Sequence, residues 1–251
     1  MLHFPLISDI KFTPILRYAQ LSAAVYDAEF LCGLHDITGK LIASRSGWNI
    51  EEIYNLRGTT YFSVLYKSEV KKAQNFILVF RGTQSNTDWK ADAGFSGDEI
   101  IPNMSKLPWG FLFDRYRSKA IDDARRAAQK TRGKIILTGH SLGGGLAAIS
   151  AAHNGLSCVA FNPPAVTAVA GVKYAYNHNK PFILNICVKN DPINETLLIG
   201  ERIGNTVTIP SPRFGIEAHD INKTVAELSP IGAFTNFGAK NPFEVKNGQY
   251  I

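Results

Sequence analysis

Charge is scarce in this chain of 251 residues, at 19% Asp, Glu, Lys and Arg, and Ile135–Val172 holds none in 38 residues. A stretch that long without charge has to be buried, either in protein or in a membrane. A membrane helix needs about 20 consecutive, predominantly apolar residues. The run fails that requirement, because Thr138, His140 and Ser141, then His153-Asn154-Gly155, then Asn162-Pro163-Pro164 interrupt it. It reads as a buried strand, a buried helix and a second buried strand. Cysteine is also sparse. The three present cannot all pair within one chain, and Cys158 and Cys187 stand in apolar, strand-like runs, as buried thiols acting as small hydrophobes do. No Cys–His spacing resembles a zinc site, so no metal is expected. The opening residues Met1-Leu2-His3-Phe4-Pro5 lack a basic segment followed by an apolar run, so no secretory signal is visible. The expectation is a soluble chain without disulfides, either cytoplasmic or exported without such a signal. Repeats, low-complexity tracts and linkers are missing too, which points to a single domain over residues 1–251.

What is present is ordinary for a globular protein: 45% hydrophobic residues, which excludes collagen-like, coiled-coil and disordered chains. The formal charge of +6 is concentrated, with eight basic and three acidic residues in Asp114–Lys134. That cluster reads first as the solvated face of a helix, and second as a surface for anionic membranes. It has no interleaved aromatic platform, so no nucleic-acid partner is expected.

The chain alternates between strand-like and helix-like segments. Thr13-Pro14 followed by Ile15, Leu16, Ala19, Ala23 and Tyr26 predicts a helix with proline in its first turn. Thr59–Tyr66 and Phe76–Phe80 read as strands. Ala93–Pro108 has no steady period and reads as a long irregular connection, of the kind that often forms a lid or binding loop. From Phe113 apolar residues recur every three or four positions to Gly133, an amphipathic helix. Lys134–Leu137, Ser157–Phe161 and Phe182–Val188 read as strands, with a small-residue helix over Leu142–Ala152. This alternation predicts an α/β fold, a mostly parallel sheet flanked by helices. In such a sheet the strands are continuous apolar runs, which accounts for the missing charge.

Between a strand and a helix lies Gly139-His140-Ser141-Leu142-Gly143. A G-x-S-x-G element there makes a sharp turn that presents the serine hydroxyl, with glycines where side chains would clash. The following helix aims its free N–H groups and positive dipole end at the place where negative charge develops. Serine needs a base, and the base needs an acid to orient it. In α/β-hydrolases the chain order is serine, acid, histidine. The acids between Ser141 and His219 are Asp191, Glu195, Glu201 and Glu217, and His219 is the one histidine beyond the first of them. Asp191 follows a strand, where parallel sheets place their sites, while Glu195 and Glu201 are fallback acids. His153 and His178 precede Asp191, and His140 is expected to pack or hydrogen-bond. The oxyanion donors expected are the backbone N–H of Leu142 and a group of Arg81-Gly82-Thr83, with the Thr83 hydroxyl available.

These pieces together resemble the class 3 lipases, the fungal-lipase-like branch of the α/β-hydrolases. The resemblance rests on Gly139-His140-Ser141-Leu142-Gly143-Gly144, on Val79-Phe80-Arg81-Gly82-Thr83 with Asp88-Trp89 behind it, on Asn190-Asp191-Pro192, and on the helix Tyr18–Tyr26. It implies hydrolysis of glycerolipid esters by an α/β-hydrolase fold without a cofactor. Ser141 is then the nucleophile, His219 the base and Asp191 its orienting acid, with Thr83 and Leu142 in the oxyanion hole and residues 93–108 as a lid. The implied partner is a lipid ester at a membrane or micelle interface. Departures from the family pattern at Trp109-Gly110-Phe111 and Phe161-Asn162-Pro163-Pro164, and the short interval from Asp191 to His219, favour a bacterial-type member. Two other readings stand beside it: a phospholipase effector without a signal that attacks membranes of other cells, and a hydrolase-fold binding protein without turnover.

Overall fold

The computed structural model of the chain describes residues 12–27, 47–56, 59, 61–69, 76–82, 108–195, 200–228, 245–246 and 249–250. Its elements in chain order are α1 (Phe12–Asp27), β1 (Trp48–Asn55), β2 (Phe62–Ser68), β3 (Phe76–Phe80), α2 (Pro108–Lys130), β4 (Ile135–His140) and α3 (Leu142–Asn154). They continue with β5 (Ser157–Phe161), α4 (Val172–Asn179), β6 (Ile183–Val188), α5 (Pro192–Glu195), β7 (Asn205–Ile209), α6 (Ile216–His219) and α7 (Ile221–Leu228). Strands β1 to β7 make one sheet whose spatial order is the order of the sequence. β1, β2 and β3 pair antiparallel, and every pairing from β3 to β7 is parallel. Val245–Lys246 and Gln249–Tyr250 form a separate antiparallel pair.

The parallel strands advance across the sheet in one direction, and crossovers between parallel strands share one hand. The helices connecting β3 to β4, β4 to β5 and β5 to β6 therefore fall on one face, where α3 packs between α2 and α4. The opposite face is covered from the two flanks of the sequence, by α1 and α7 packed on each other. Side chains alternate accordingly. Leu78 and Phe80 of β3 join the core under α2 and α3, while Ile77 and Val79 join the core under α1 and α7. Ala120, Ala124 and Ala127 of α2 meet a helix made largely of glycine and alanine, so the two can lie close. The segment without charge runs through β4, α3 and β5 to the start of α4, and its strand residues are almost all buried.

Half of the eight basic residues in the basic segment Asp114–Lys134 are in ion pairs. Arg117 bonds Asp114, Arg125 bonds Asp122, Lys119 bonds the buried Asp123, and Lys130 reaches Glu51 and Glu52. Its carboxyl end sits low on the sheet, since Lys134 accepts the N–H of Phe76 at the start of β3. That end is opposite the carboxyl ends of the parallel strands, where Ser141 stands. Among the described residues no helix is long and apolar enough to cross a membrane.

Candidate active site

β4 ends at His140 and α3 begins at Leu142, leaving Ser141 alone in the turn with φ 56° and ψ −130°. That conformation is unfavourable for a residue with a side chain and costs of order 1–3 kcal/mol. It is held by two hydrogen bonds: Ser141 N–H donates to Phe161 O at 3.0 Å, and Gly145 N–H donates to Ser141 O at 3.1 Å. The flanking glycines are required by space. A Cβ on Gly139 would lie 2.5 Å from Gly143 O, and one on Gly143 would lie 2.2 Å from Phe80 O. The backbones of β3, β4 and α3 thus meet where no methyl group fits, and the serine is pushed out at their junction.

Asp191 follows β6 and is fully buried. Its Oδ1 accepts the N–H of Ile193 at 2.8 Å, and its Oδ2 lies 2.7 Å from His219 Nδ1. His219 closes α6, and its Nε2 lies 2.8 Å from Ser141 Oγ. A carboxylate only accepts, so Nδ1 carries the proton and Nε2 receives the serine hydroxyl. The three side chains singled out by motif, chain order and place after a strand are therefore joined by hydrogen bonds through His219. Leu142 opens α3, so its N–H has no acceptor inside the helix and faces the turn with the positive end of the dipole. Thr83 lies outside the described residues, as does the expected lid up to residue 107; Pro108 starts α2.

The other candidates are elsewhere. Glu201 and Glu217 are exposed, His178 is exposed and stacked on Tyr174, and His153 is half-buried in α3. Among the described residues no group of acidic, His or Cys side chains could hold a metal. Cys158 and Cys187 are buried free thiols, and burial pushes the Cys187 thiol up to about 11.

Three residues that the sequence reading left without a role support the site. Asn190, with φ 67°, donates from Nδ2 to Arg213 O at 3.1 Å and accepts Gly215 N–H at 3.1 Å, clamping the segment that leads into His219. Asn162, with φ 45°, accepts the Val188 N–H at 2.8 Å and so ties the end of β5 to the end of β6 just before Asp191. Tyr26 reaches His140 from α1. An asparagine just past an apolar strand-like run, a residue type enriched in the left-handed region, is the sequence signal that could have drawn attention to the first two.

Residues 17–169, more than half of the chain, match the model of a phospholipase-like family, the Tle-like phospholipase domain. A search of curated proteins returns no match. By fold the chain is similar to the lipase of Rhizomucor miehei in its propeptide complex, with a TM-score of 0.57 and 18% identity over 78% of this chain and 68% of that one. Lipase II from Rhizopus niveus gives 0.57 and 18% over 80% of this chain and 81% of its own. A triacylglycerol lipase described as having a serine protease triad at its catalytic centre gives 0.56 and 18% over 78% and 79%. At such low identity these likenesses speak for the fold, a helix-flanked and mostly parallel α/β-hydrolase sheet, which agrees with the resemblance to class 3 lipases read from the motifs. The family match covers α1 from Arg17, all of β1 to β5 and Ser141. The chain belongs to the Tle-like phospholipase domain family and is an ester hydrolase of the lipase and phospholipase type.

Proposed function

We propose that the chain cleaves acyl esters of glycerophospholipids at a membrane or micelle interface, with Ser141, His219 and Asp191 as its catalytic triad. The observation that carries this reading is the continuous hydrogen-bonded line from Ser141 Oγ through His219 to the buried Asp191 carboxylate, set on a strained strand-to-helix turn. It is supported by the family's description as phospholipase-like and by the triad named for one of the lipases of similar fold.

In this reading Ser141 Oγ bonds to the ester carbonyl carbon while its proton passes to His219 Nε2. Negative charge collects on the carbonyl oxygen, opposite the N–H of Leu142, with Thr83 as the second donor. The C–O bond to the glycerol oxygen then breaks, and that oxygen leaves with the proton from His219. Water attacks the acyl-serine by the same route, giving its proton to His219 and releasing the fatty acid and the serine hydroxyl. Asp191 accepts from Nδ1–H throughout, holding the imidazole in the tautomer that can take a proton at Nε2.

The test uses purified wild-type protein, Ser141→Ala and Asp191→Asn on phosphatidylglycerol and phosphatidylcholine vesicles, emulsified triacylglycerol and a short p-nitrophenyl ester. Wild type should release fatty acid fastest from phospholipid. Asp191→Asn should lose about 10⁴-fold in kcat because its amide holds the wrong imidazole tautomer. Equal activity of wild type and Ser141→Ala on every substrate would sink the mechanism.

A further inference from the structure

A second histidine is buried against the candidate base. His140 closes β4, and its ring centroid lies 4.7 Å from that of His219. Its Nε2 is 2.7 Å from the main-chain oxygen of His219, and its Nδ1 is 2.9 Å from the hydroxyl of Tyr26 on α1. The direction of these bonds follows from chemistry. A carbonyl only accepts, so Nε2 carries the proton. A neutral ring then has a lone pair at Nδ1, and the Tyr26 hydroxyl donates to it. Burial, with His219 beside it, holds the His140 imidazole well below its ordinary pKa, so the ring is neutral in a single tautomer. The Tyr26 hydroxyl also lies against Gly82, just past the end of β3.

The chain of bonds therefore runs one way, from Tyr26 Oη–H to His140 Nδ1 and from His140 Nε2–H to His219 O. It is also tight. A Cβ on Gly82 would fall 2.3 Å from the Tyr26 hydroxyl and 2.7 Å from His140 O, so that hydroxyl lies directly against the strand end. Neither hydrogen bond involves Ser141 Oγ, and neither takes part in the proton transfers set out above.

We propose that Tyr26 and His140 are positioning residues for the ester hydrolysis. By fixing the carbonyl of His219, they set the aim of its imidazole at Ser141 and couple that aim to the strand end preceding Thr83. The proposal rests on His219 being the catalytic base. It differs from plain packing in requiring a donor at His140 Nε2 and a hydroxyl on Tyr26, not merely their volume. A one-ångström error in aim is enough to cost catalysis on the order of 10²-fold.

The experiment compares Tyr26→Phe, His140→Leu and His140→Gln with wild type on a soluble p-nitrophenyl ester, alongside melting temperatures. Tyr26→Phe and His140→Leu should lower kcat on the order of 10²-fold. KM should stay within about twofold, the signature of a lost transition-state contribution. Glutamine keeps an N–H donor near the place of Nε2, so His140→Gln should recover about tenfold over His140→Leu at equal melting temperature. Long-range ¹H–¹⁵N spectra should show His140 as the Nε2–H tautomer in wild type and a mixed or shifted state in Tyr26→Phe. Wild-type kcat in folded Tyr26→Phe, or equal rates for the leucine and glutamine variants, would overturn the proposal. Should His140→Leu fail to fold, Tyr26→Phe, which removes one oxygen, decides the matter. Full activity in Ser141→Ala would instead overturn the reading of the site on which this rests.

Discussion

Adding one methyl group at Gly143 probes whether the nucleophile turn depends on backbone contact. The new Cβ would sit 2.2 Å from Phe80 O, 2.7 Å from Arg81 C and 2.8 Å from Gly82 N. All three are backbone atoms, so no flexible side chain can yield. Carbon to oxygen contacts ordinarily begin at about 3.3 Å, so the first residues of α3 and the end of β3 must separate by about 1 Å. Phe80 pairs with Gly139 across the sheet, and the separation pulls at the strand that carries Ser141. Overpacking of this kind costs about 1–3 kcal/mol. In a protein of this size that lowers Tm by roughly 2–10 °C. The same displacement misplaces the hydroxyl and the Leu142 N–H, with an expected loss in kcat on the order of 10²-fold. Gly47→Ala is the comparison, because its Cβ meets nothing within 4 Å although φ is +79°. It pays only the left-handed backbone cost of about 1–2 kcal/mol and should keep wild-type kcat. The two variants would be compared by thermal melting and by turnover of a short p-nitrophenyl ester. Gly143→Ala with wild-type kcat would refute the argument that the turn has no room.

Two further outcomes follow from the supporting residues. Asn162→Ala removes the acceptor of a buried N–H at the end of β6 and should cost about 1–3 kcal/mol in urea denaturation; an unchanged midpoint would show that β6 does not need this tie. His140 makes stability depend on acid: its folded pKa lies below the unfolded value of about 6.5, so between the two the unfolded chain binds the extra proton. Stability from this group is therefore full above about pH 6.5 and falls as pH drops below it, with a slope of up to about 1.4 kcal/mol per pH unit. Urea titrations at several pH values should show that slope in wild type and a shallower one in His140→Gln, and identical slopes would assign the acid sensitivity elsewhere.

Much of the fold was legible because buried parallel strands announce themselves. Phe76–Phe80 and Ser157–Phe161 are read from apolar runs with the same ends that the structure gives them. The edges were harder. β7 is Asn-Thr-Val-Thr-Ile and mostly exposed, so it owes its place to backbone pairing with β6 and carries no apolar signal. β1, at the other edge, contains a bulge between Ile50 and Glu52 that breaks the two-residue period. α2 begins at Pro108, five residues before its apolar rhythm becomes visible at Phe113, since proline suits a first helical turn yet also reads as loop. At the site, the G-x-S-x-G element points to Ser141, chain order to His219, and the place after a strand to Asp191. The bonds of Tyr26 and Asn162 were not readable in the same way, because each is set by a partner that only folding brings near: Tyr26 and His140 are 114 residues apart.

The covering of one sheet face by α1 and α7 has a consequence for synthesis of the chain. The ribosome delivers Ser141 on β4 and α3 long before the acid and base, which arrive 78 residues later in the case of His219. On the proposed reading, a nascent chain of this length holds the nucleophile with nothing to deprotonate it, and α7 is not yet there to close over α1. The hydrophobic closure of α7 over α1 and the delivery of His219 from the adjoining α6 are then one late folding event. On the proposed reading of the site, activity is thus gained only as the fold is being sealed, because a half-made chain lacks the base.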